Sequence, residues 1–193
     1  MRGLNRSYDA AVAAIDSANA DDPTAITVRG VPQPLAYVHG VLAAGWVQRL
    51  VAEPDDALLL AARAHHLRRW EVPRSTYPEG RAAYLRWRRD QKARHASDVA
   101  ALLSGAGYDA TTIERVQALI RREQVDGAQV VEDAACLVFL ETQLGDMVPR
   151  FDRGRLLEVI RKTAGKMSPA GLAAVVDVPL TDAERALLAD ALA

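Results

Sequence analysis

The residues of this chain that could bind a metal or move protons are its histidines and two late carboxylates. The histidines are His39, His65, His66 and His95, and the carboxylates are the neighbours Glu132 and Asp133. A neutral imidazole is the commonest metal ligand in proteins, and carboxylates complete sites for manganese, iron or zinc. Acids near the start of an otherwise apolar helix are costly to bury unless they are paired, hydrogen-bonded or metal-bound. The sequence therefore offers the ligands of a metal site, provided that four helices point inward to one place.

The spacing of these residues leaves three points open. Adjacent residues on a helix point about 100° apart, so His65 and His66 can share one metal only if their helix ends or is distorted there. Pro73 follows shortly and favours such an ending. Asp133 has an alternative role at the N-terminus of its helix, where the macrodipole favours a negative charge. His39 is equally compatible with an ordinary, partly buried histidine.

Positive charge is concentrated around the histidines. Residues 63–94 carry ten basic side chains against three acids, and nine of the ten are arginine. A guanidinium group binds phosphate or carboxylate through two hydrogen bonds, whereas lysine acts as a point charge. The segment therefore predicts recognition of an anion, and the aromatic residues between the arginines could stack on a base. The candidate ligand-binding residues of this segment are Arg69, Trp70, Arg74, Arg81 and Arg88.

A solvated helix face is the alternative interpretation of the same segment. Arginines on a long helix usually point to solvent and pair with acids of neighbouring helices. Arg86, Arg89 and Arg94 fit that interpretation as well as the functional one. Arg69 and Arg74 fit it less well, because they border a proline-bearing turn directly after the histidine pair.

The composition is that of one ordinary globular domain. The chain has 193 residues, of which 50% are hydrophobic and 25% are charged, which excludes global disorder and a disulfide scaffold. Its net charge of −1 argues against a protein that coats nucleic acid with its whole surface. The single cysteine cannot form an internal disulfide, and the N-terminal sequence lacks the pattern of a signal peptide. Since no apolar run is long enough to span a bilayer, we predict a cytoplasmic protein without membrane contact, and a homodimer is left open.

Periodicity and caps predict helices almost throughout. Aromatic residues make up only 5%, and no segment alternates convincingly with the period of a strand. Helix starts are predicted at the capping boxes Thr111-x-x-Glu114 and Thr181-x-x-Glu184 and at Ser168-Pro169. The predicted helices cover residues 7–18, 35–51, 57–70, 79–103, 112–123, 129–144, 150–164, 170–176 and 182–192. The pattern predicts an all-α fold without a sheet, in one domain over residues 1–193, with the apolar segment 134–140 at its centre.

The order of the candidate residues resembles the HD-domain superfamily of helical metal-dependent phosphohydrolases, which includes a minority of di-iron oxygenases. The order is His39, the pair His65-His66, His95 and then Asp133. In that superfamily a first His, a consecutive His-Asp pair and a distant Asp bind metal, and His66 stands where the Asp of the pair is expected. The resemblance implies an HD-like core at about residues 35–145, followed by C-terminal helices at 150–193.

A closer resemblance covers almost the whole chain. The segments HLRRWEVPRSTYP, GRAAYLRWR, RHA, VEDAACLVFLE and KMS resemble the family catalogued as domain of unknown function 4202. That family implies no reaction. Its last motif adds Lys166 to the candidate ligand-binding residues.

Taken with the HD resemblance, these features predict a metal-dependent hydrolase of a phosphorylated, nucleotide-like small molecule. The implied ligands of a manganese, iron or zinc ion are His66, His95 and Asp133, with His39 and His65 in addition. Glu132 would accept the proton of a metal-bound water, and the arginines would stabilise charge on the phosphoryl oxygens. Two alternatives stay open: a di-iron oxygenase acting on an anionic organic substrate, and a non-catalytic helical module that binds an anion or a partner. Nucleic acid is not the expected ligand, since the rest of the surface is acidic.

Overall fold

Helices make up nearly all the regular structure in the computed structural model, which describes residues 6–28 and 31–193. The helices are α1 (Arg6–Ala20), α2 (Leu35–Leu50), α3 (Asp56–Ala64), α4 (Arg81–Gly105), α5 (Ala110–Arg121), α6 (Ala128–Met147), α7 (Arg153–Ala164), α8 (Pro169–Ala173) and α9 (Asp182–Leu192). Short 3-10 turns lie at Arg69–Glu71, Arg74–Thr76 and Ala174–Asp177. The predicted all-α class is confirmed. Within the described ranges, no helix is both long enough and apolar enough to cross a membrane.

The hydrophobic core is built around α6. This helix packs against α2, α3, α5, α7 and α8. Its residues Leu137 and Leu144 are fully buried, as are Leu60 of α3 and Leu119 of α5. Each buried leucine contributes about 2 kcal/mol through the removal of apolar surface from water. The predicted central position of the segment 134–140 is confirmed.

A two-stranded antiparallel hairpin corrects the prediction of a fold without a sheet. Its strands are β1 (Ala25–Val28) and β2 (Val31–Pro34). Directly after β2, the backbone N–H of Leu35 donates to the carbonyl of Thr24 at 2.8 Å. Because bonded positions alternate along an antiparallel ladder, Pro32 and Pro34 fall where the missing N–H would point away from β1. The two prolines are therefore compatible with a strand, although they look like breaks in the sequence.

Two predicted helix starts are confirmed by their cap hydrogen bonds. At α9 the Thr181 hydroxyl accepts from the backbone N–H of Glu184, whose carboxylate accepts from the backbone N–H of Thr181 at 2.7 Å. At α8 the Ser168 hydroxyl accepts from the backbone N–H of Gly171 at 3.0 Å, with Pro169 in the first turn. These caps satisfy backbone groups that a helix start leaves without an internal partner.

The predicted cap of α5, Thr111, is wrong. Asp109 is the cap, and its carboxylate accepts from the backbone N–H of Thr112 at 2.7 Å. A carboxylate is the stronger acceptor and is favoured at the positive end of the helix dipole. For the same reason α7 begins at Arg153, after the Asp152 cap, and not at residue 150.

The end of α3 falls within the histidine pair. The helix ends at Ala64 with His65 as its C-cap, whereas the sequence predicts a helix up to residue 70. The chain then turns through residues 65–68, where Arg68 adopts a left-handed backbone with φ of 50°. The predicted helix end at residue 70 is therefore wrong. The ending at the histidine pair is the condition under which both could bind one metal, and their imidazoles are not forced apart by helical geometry.

Close approach of α2 to α3 depends on Gly40. A Cβ atom on this residue would lie 2.5 Å from the backbone carbonyl oxygen of Arg63 and 3.7 Å from Nδ2 of Asn19. A backbone carbonyl cannot move aside unless α3 moves with it, so no larger residue fits. The contact places His39, the residue before Gly40, beside the end of α3.

We predict that Gly40→Ala lowers the free energy of unfolding by at least about 2 kcal/mol, because the added methyl group overlaps the Arg63 carbonyl. Urea denaturation measures the change. Gly45→Ala is the matched control in the same helix, because a Cβ there meets nothing within 4 Å. The control is expected to stabilise the protein by up to about 1 kcal/mol through helix propensity. Equal effects of the two substitutions would contradict the role of Gly40.

Candidate functional site

The structure brings the four histidines together. His39 comes from α2, His65 and His66 from the turn after α3, and His95 from α4. The ring centroid of His66 lies 4.0 Å from that of His65, 5.4 Å from that of His39 and 6.3 Å from that of His95. We call these four residues the histidine cluster, and His66 is its central member.

The hydrogen bonds of the histidine cluster leave several ring nitrogens unpaired. Nδ1 of His39 lies 3.2 Å from Nδ1 of His66, so one of the two carries the shared proton. Nε2 of His39 lies 3.1 Å from the Thr142 hydroxyl of α6. His65 donates from Nδ1 to the Ala62 carbonyl at 2.7 Å. Nε2 of His65 and both ring nitrogens of His95 are buried without a partner at hydrogen-bonding geometry.

Burial keeps the histidine cluster neutral. It lowers the pKa of His39 to about 4 and that of His95 to about 3, and the charge of Arg69 adds to both shifts. Burial likewise holds the pKa of His65 and His66 well below the usual value of a histidine. Three of the four residues are almost completely buried, and His66 is half-buried. All four imidazoles are therefore neutral at pH 7.

One face of α4 holds the turn that carries the histidine pair. Trp87 donates from its indole N–H to the Val72 carbonyl at 2.9 Å, and Gln91 donates to the carbonyls of Arg69 and Val72. Arg94 donates to the Arg68 carbonyl. From the other side, the Asn19 side chain of α1 accepts from the backbone N–H of Arg68 at 3.1 Å. The turn is therefore fixed on both sides by side chains.

Sequence reasoning missed these supporting residues, although a signal for three of them exists. Trp87, Gln91 and Arg94 follow the spacing i, i+4 and i+7, which places them on one helix face, next to His95. Gln91 is buried although its neighbours in the sequence are charged, and it therefore marks the inward face of α4. For Asn19, which lies on a different helix, the sequence offers no such pattern.

Arg69 is the predicted anion-binding residue that the structure places beside the histidines. Its guanidinium group lies over the Trp87 ring, 4.5 Å from the centroid, and is half-buried. Burial lowers the pKa of Arg69 to about 10, so the group is still charged at neutral pH. None of the described residues forms an ion pair with it, and the nearby Arg88 lies over the Tyr84 ring at 5.9 Å. Arg69 therefore lies beside His66, and Arg88 lies close to Arg69, neither with an ion-pair partner among the described residues.

The other predicted residues of the basic segment are placed differently. Arg74 donates to the carbonyls of Tyr77 at 2.8 Å and Pro78 at 2.7 Å, so it holds the loop before α4. Arg81 is exposed at the first position of α4, and Trp70 is half-buried in the 3-10 turn. The structure thus singles out Arg69 and Arg88 from the predicted set.

Asp133 is hydrogen-bonded to the N-cap residue of α8 and does not contact the histidine cluster through these bonds. Its carboxylate accepts from the backbone N–H of Ser168 at 2.8 Å, from the Ser168 hydroxyl and from the Gln129 amide at 2.9 Å. A Cβ on Gly171 would lie 2.6 Å from the Asp133 carboxyl carbon, so α8 packs directly on this group. Along α6, Asp133 lies about 14 Å from Thr142, the residue of that helix that His39 contacts. Asp133 therefore buttresses the start of α8.

Glu132 lines a separate cleft. A hollow of about 580 Å³ is bordered by side chains from α4, from α6, from the segment before α6 and from the turn after α7, among them Lys92, Arg122, Glu132 and Lys166. We call it the basic cleft. Glu132 accepts from Arg122 at 2.9 Å, and both side chains are largely buried. Burial raises the pKa of Glu132, but the charge and hydrogen bond of Arg122, with Lys92 and Lys166, outweigh it and keep the pKa below its usual value.

The predicted metal ligands do not form a ready metal centre. Across residues 6–28 and 31–193, no three or more His, Cys, Asp or Glu side chains are grouped so as to hold a metal ion. Nε2 of His65 and the ring nitrogens of His95 have no partner at hydrogen-bonding geometry, although the Leu67 backbone lies close to His95. Asp133, in contrast, is bonded to Ser168 and Gln129 and does not join the histidines. The complete ligand set implied by the HD resemblance is therefore not assembled, and a manganese, iron or zinc site stays a prediction.

Comparison with known proteins identifies one family. The family model of DUF4202, described as a domain of unknown function, matches residues 9–188. No curated protein and no solved structure matches the chain. The function must therefore be argued from the site.

The neutral histidine cluster predicts that acid destabilises the protein. An unfolded histidine takes up a proton near pH 6.5, whereas His39 and His95 in the fold resist protonation down to pH of about 4 and 3. The unfolded state therefore binds more protons below pH 6.5, and the free energy of unfolding falls as pH falls. Between pH 6.5 and 5 these two side chains cost about 3 kcal/mol, measured by urea denaturation at each pH.

His95→Gln is the variant that tests this cause, because it removes one titrating ring and keeps a similar volume. We expect it to reduce the loss between pH 6.5 and 5 by about 1.5 kcal/mol, whatever its effect at pH 7, while His39, His65 and His66 continue to contribute. An unchanged dependence on pH in the variant would show that the fold does not lower the pKa of His95.

Proposed function

The chain belongs to the DUF4202 family, whose description gives no reaction, and we therefore infer the function from the site. We propose that the protein binds a phosphorylated, nucleotide-like small molecule beside Arg69, Arg88 and His66. The half-buried guanidinium of Arg69, without a carboxylate among the described residues, is the observation that carries the proposal. Removal of a charge from water is unfavourable unless an opposite charge or hydrogen-bond acceptors replace the water. The Trp87 ring offsets part of that cost, and a bound phosphate would supply the rest.

The contrast with neighbouring arginines supports this assignment. Arg94 donates to Glu71 at 2.8 Å and Arg89 to Asp90 at 3.1 Å, as expected for arginines that serve structure or solubility. Arg69 and Arg88 instead face aromatic rings, at 4.5 and 5.9 Å. Their free donors match the paired oxygens of a phosphate group.

The aromatic rings of α4 support a nucleotide-like ligand. The Tyr84 ring lies 6.0 Å from the Trp87 ring, and Tyr84 is 42% exposed. An exposed ring next to cationic side chains is a stacking surface for a base. Neutral His66 adds a hydrogen-bonding group that does not repel the arginines, because burial keeps it uncharged.

We expect Arg69→Met to weaken binding of adenosine 5′-monophosphate by tenfold to a hundredfold, because a charge-assisted hydrogen bond contributes about 1.5–3 kcal/mol. Isothermal titration calorimetry measures the affinity. Arg155→Met is the matched control, since Arg155 is exposed on α7 and pairs with Glu158. Equal affinity of the Arg69 variant and the native protein would refute the proposed site.

Metal-dependent hydrolysis of the same ligand is a second candidate, favoured by the unpaired ring nitrogens of His65 and His95. A bound divalent ion would lower the pKa of a water molecule and stabilise phosphoryl charge. This function would require the imidazoles to turn toward a common point and Asp133 to be dispensable.

Metal analysis of the purified protein and phosphate release from a nucleotide panel test this second candidate. For a hydrolase we expect at least one equivalent of manganese, iron or zinc, lost in His95→Gln and kept in Asp133→Asn. Absence of metal together with absence of phosphate release would leave the binding function alone. Oxygen consumption after anaerobic loading with ferrous iron would instead support the oxygenase alternative.

A further inference from the structure

The basic cleft contains cationic groups that the fold itself does not use. Arg122 is occupied, because it donates to Glu132 at 2.9 Å and to the carbonyls of Leu119 at 3.0 Å and Val131 at 3.2 Å. Lys92 and Lys166 border the same hollow, and neither ammonium group has an ion-pair partner among the described residues. Lys92 is half-buried, and Lys166 is exposed.

We propose that the basic cleft is a second anion subsite and that the ligand carries two separate phosphate groups, one at Arg69 and Arg88 and the other at Lys92 and Lys166. This inference rests on the function proposed above and specifies its substrate class. A hollow of about 580 Å³ is within the range of volumes that bind small molecules.

Three basic and three acidic side chains line the cleft, but two of the acids are already paired with arginines, which leaves an excess of positive charge. Lys92, Arg122 and Lys166 all act on the single carboxylate of Glu132. Burial and the charge of Arg122 lower the pKa of Lys92, so the cations repel one another in the absence of a ligand. The other two acids that line the hollow are Glu123, which pairs with Arg121 at 2.6 Å, and Asp126. A phosphate between the two lysines would relieve the repulsion.

Arg88 connects the two subsites. Its charge acts on Arg69 on one side and on Lys92 and Arg122 on the other. Arg88 and Lys92 are four residues apart in α4, so they lie on one face of the helix, separated by about 6 Å along its axis. A ligand with two phosphate groups about one helical turn apart would meet both positions at once.

The test compares two ligands that differ by one phosphate group. We expect the native protein to bind adenosine 3′,5′-bisphosphate at least tenfold more tightly than adenosine 5′-monophosphate in isothermal titration calorimetry. Lys92→Met and Lys166→Met should reduce the affinity for the bisphosphate to that of the monophosphate and leave monophosphate binding unchanged. Lys162→Met is the matched control, because Lys162 pairs with Glu158 on α7.

The outcomes separate this inference from the proposed function. Equal affinity for the two ligands in the native protein would overturn the second subsite and leave the site at Arg69 in place. Binding of the bisphosphate that depends on the lysines but not on Arg69 would overturn the site at Arg69 instead. If neither ligand binds, both proposals fail.

Discussion

The arrangement of the site depends on the need of buried backbone carbonyls for hydrogen-bond donors. The turn after α3 leaves the carbonyls of Arg69 and Val72 without a backbone donor, whereas Arg68 accepts from the backbone N–H of Glu71, and unpaired carbonyls in the interior are costly. Side chains of α4 supply the donors, through Trp87, Gln91 and Arg94. Because the same α4 face continues to His95, the contacts that satisfy the turn also align the histidines. The position of Arg69 over Trp87 follows from the same alignment.

Desolvation sets the chemical character of the site. Four imidazoles packed together would repel one another if protonated, and burial prevents this by lowering each pKa. The neutral cluster is thus surrounded by positive charge that it neither adds to nor cancels. Arg69 has no ion-pair partner among the described residues, and the anionic ligand that we propose would supply the opposite charge. Burial thus distinguishes the histidine cluster from a solvated patch of basic residues.

The fold class was largely accessible from the sequence, because helix caps and apolar periodicity are local signals. Thr181 and Ser168 illustrate this, since each cap bond joins residues three apart. Asp109 shows the limit of these signals, because it competes with Thr111, two residues further on, and the stronger acceptor decides where the helix starts. The hairpin was missed because the effect of a proline depends on the register with another strand.

Only part of the candidate site could be predicted from the sequence. The grouping of the histidines was predicted from their order along the helices. The separation of Asp133 from them was not, because it depends on Ser168 at the start of α8, 35 residues further along the chain. No pattern near VEDAACLVFLE indicates that Ser168 takes up both oxygens of that carboxylate. Likewise, the candidate base Glu132 of α6 pairs with Arg122 of the turn before that helix, a contact that the sequence does not indicate.

The bonds from Asp133 and Gln129 to the segment at 166–168 also determine when the cleft comes into existence. One of its walls is formed by Lys166, which the chain supplies only after α7. The cleft therefore has its full outline only when the turn between α7 and α8 is folded onto α6. Any ligand of the kind proposed here would bind to a hollow whose shape depends on contacts between distant parts of the chain.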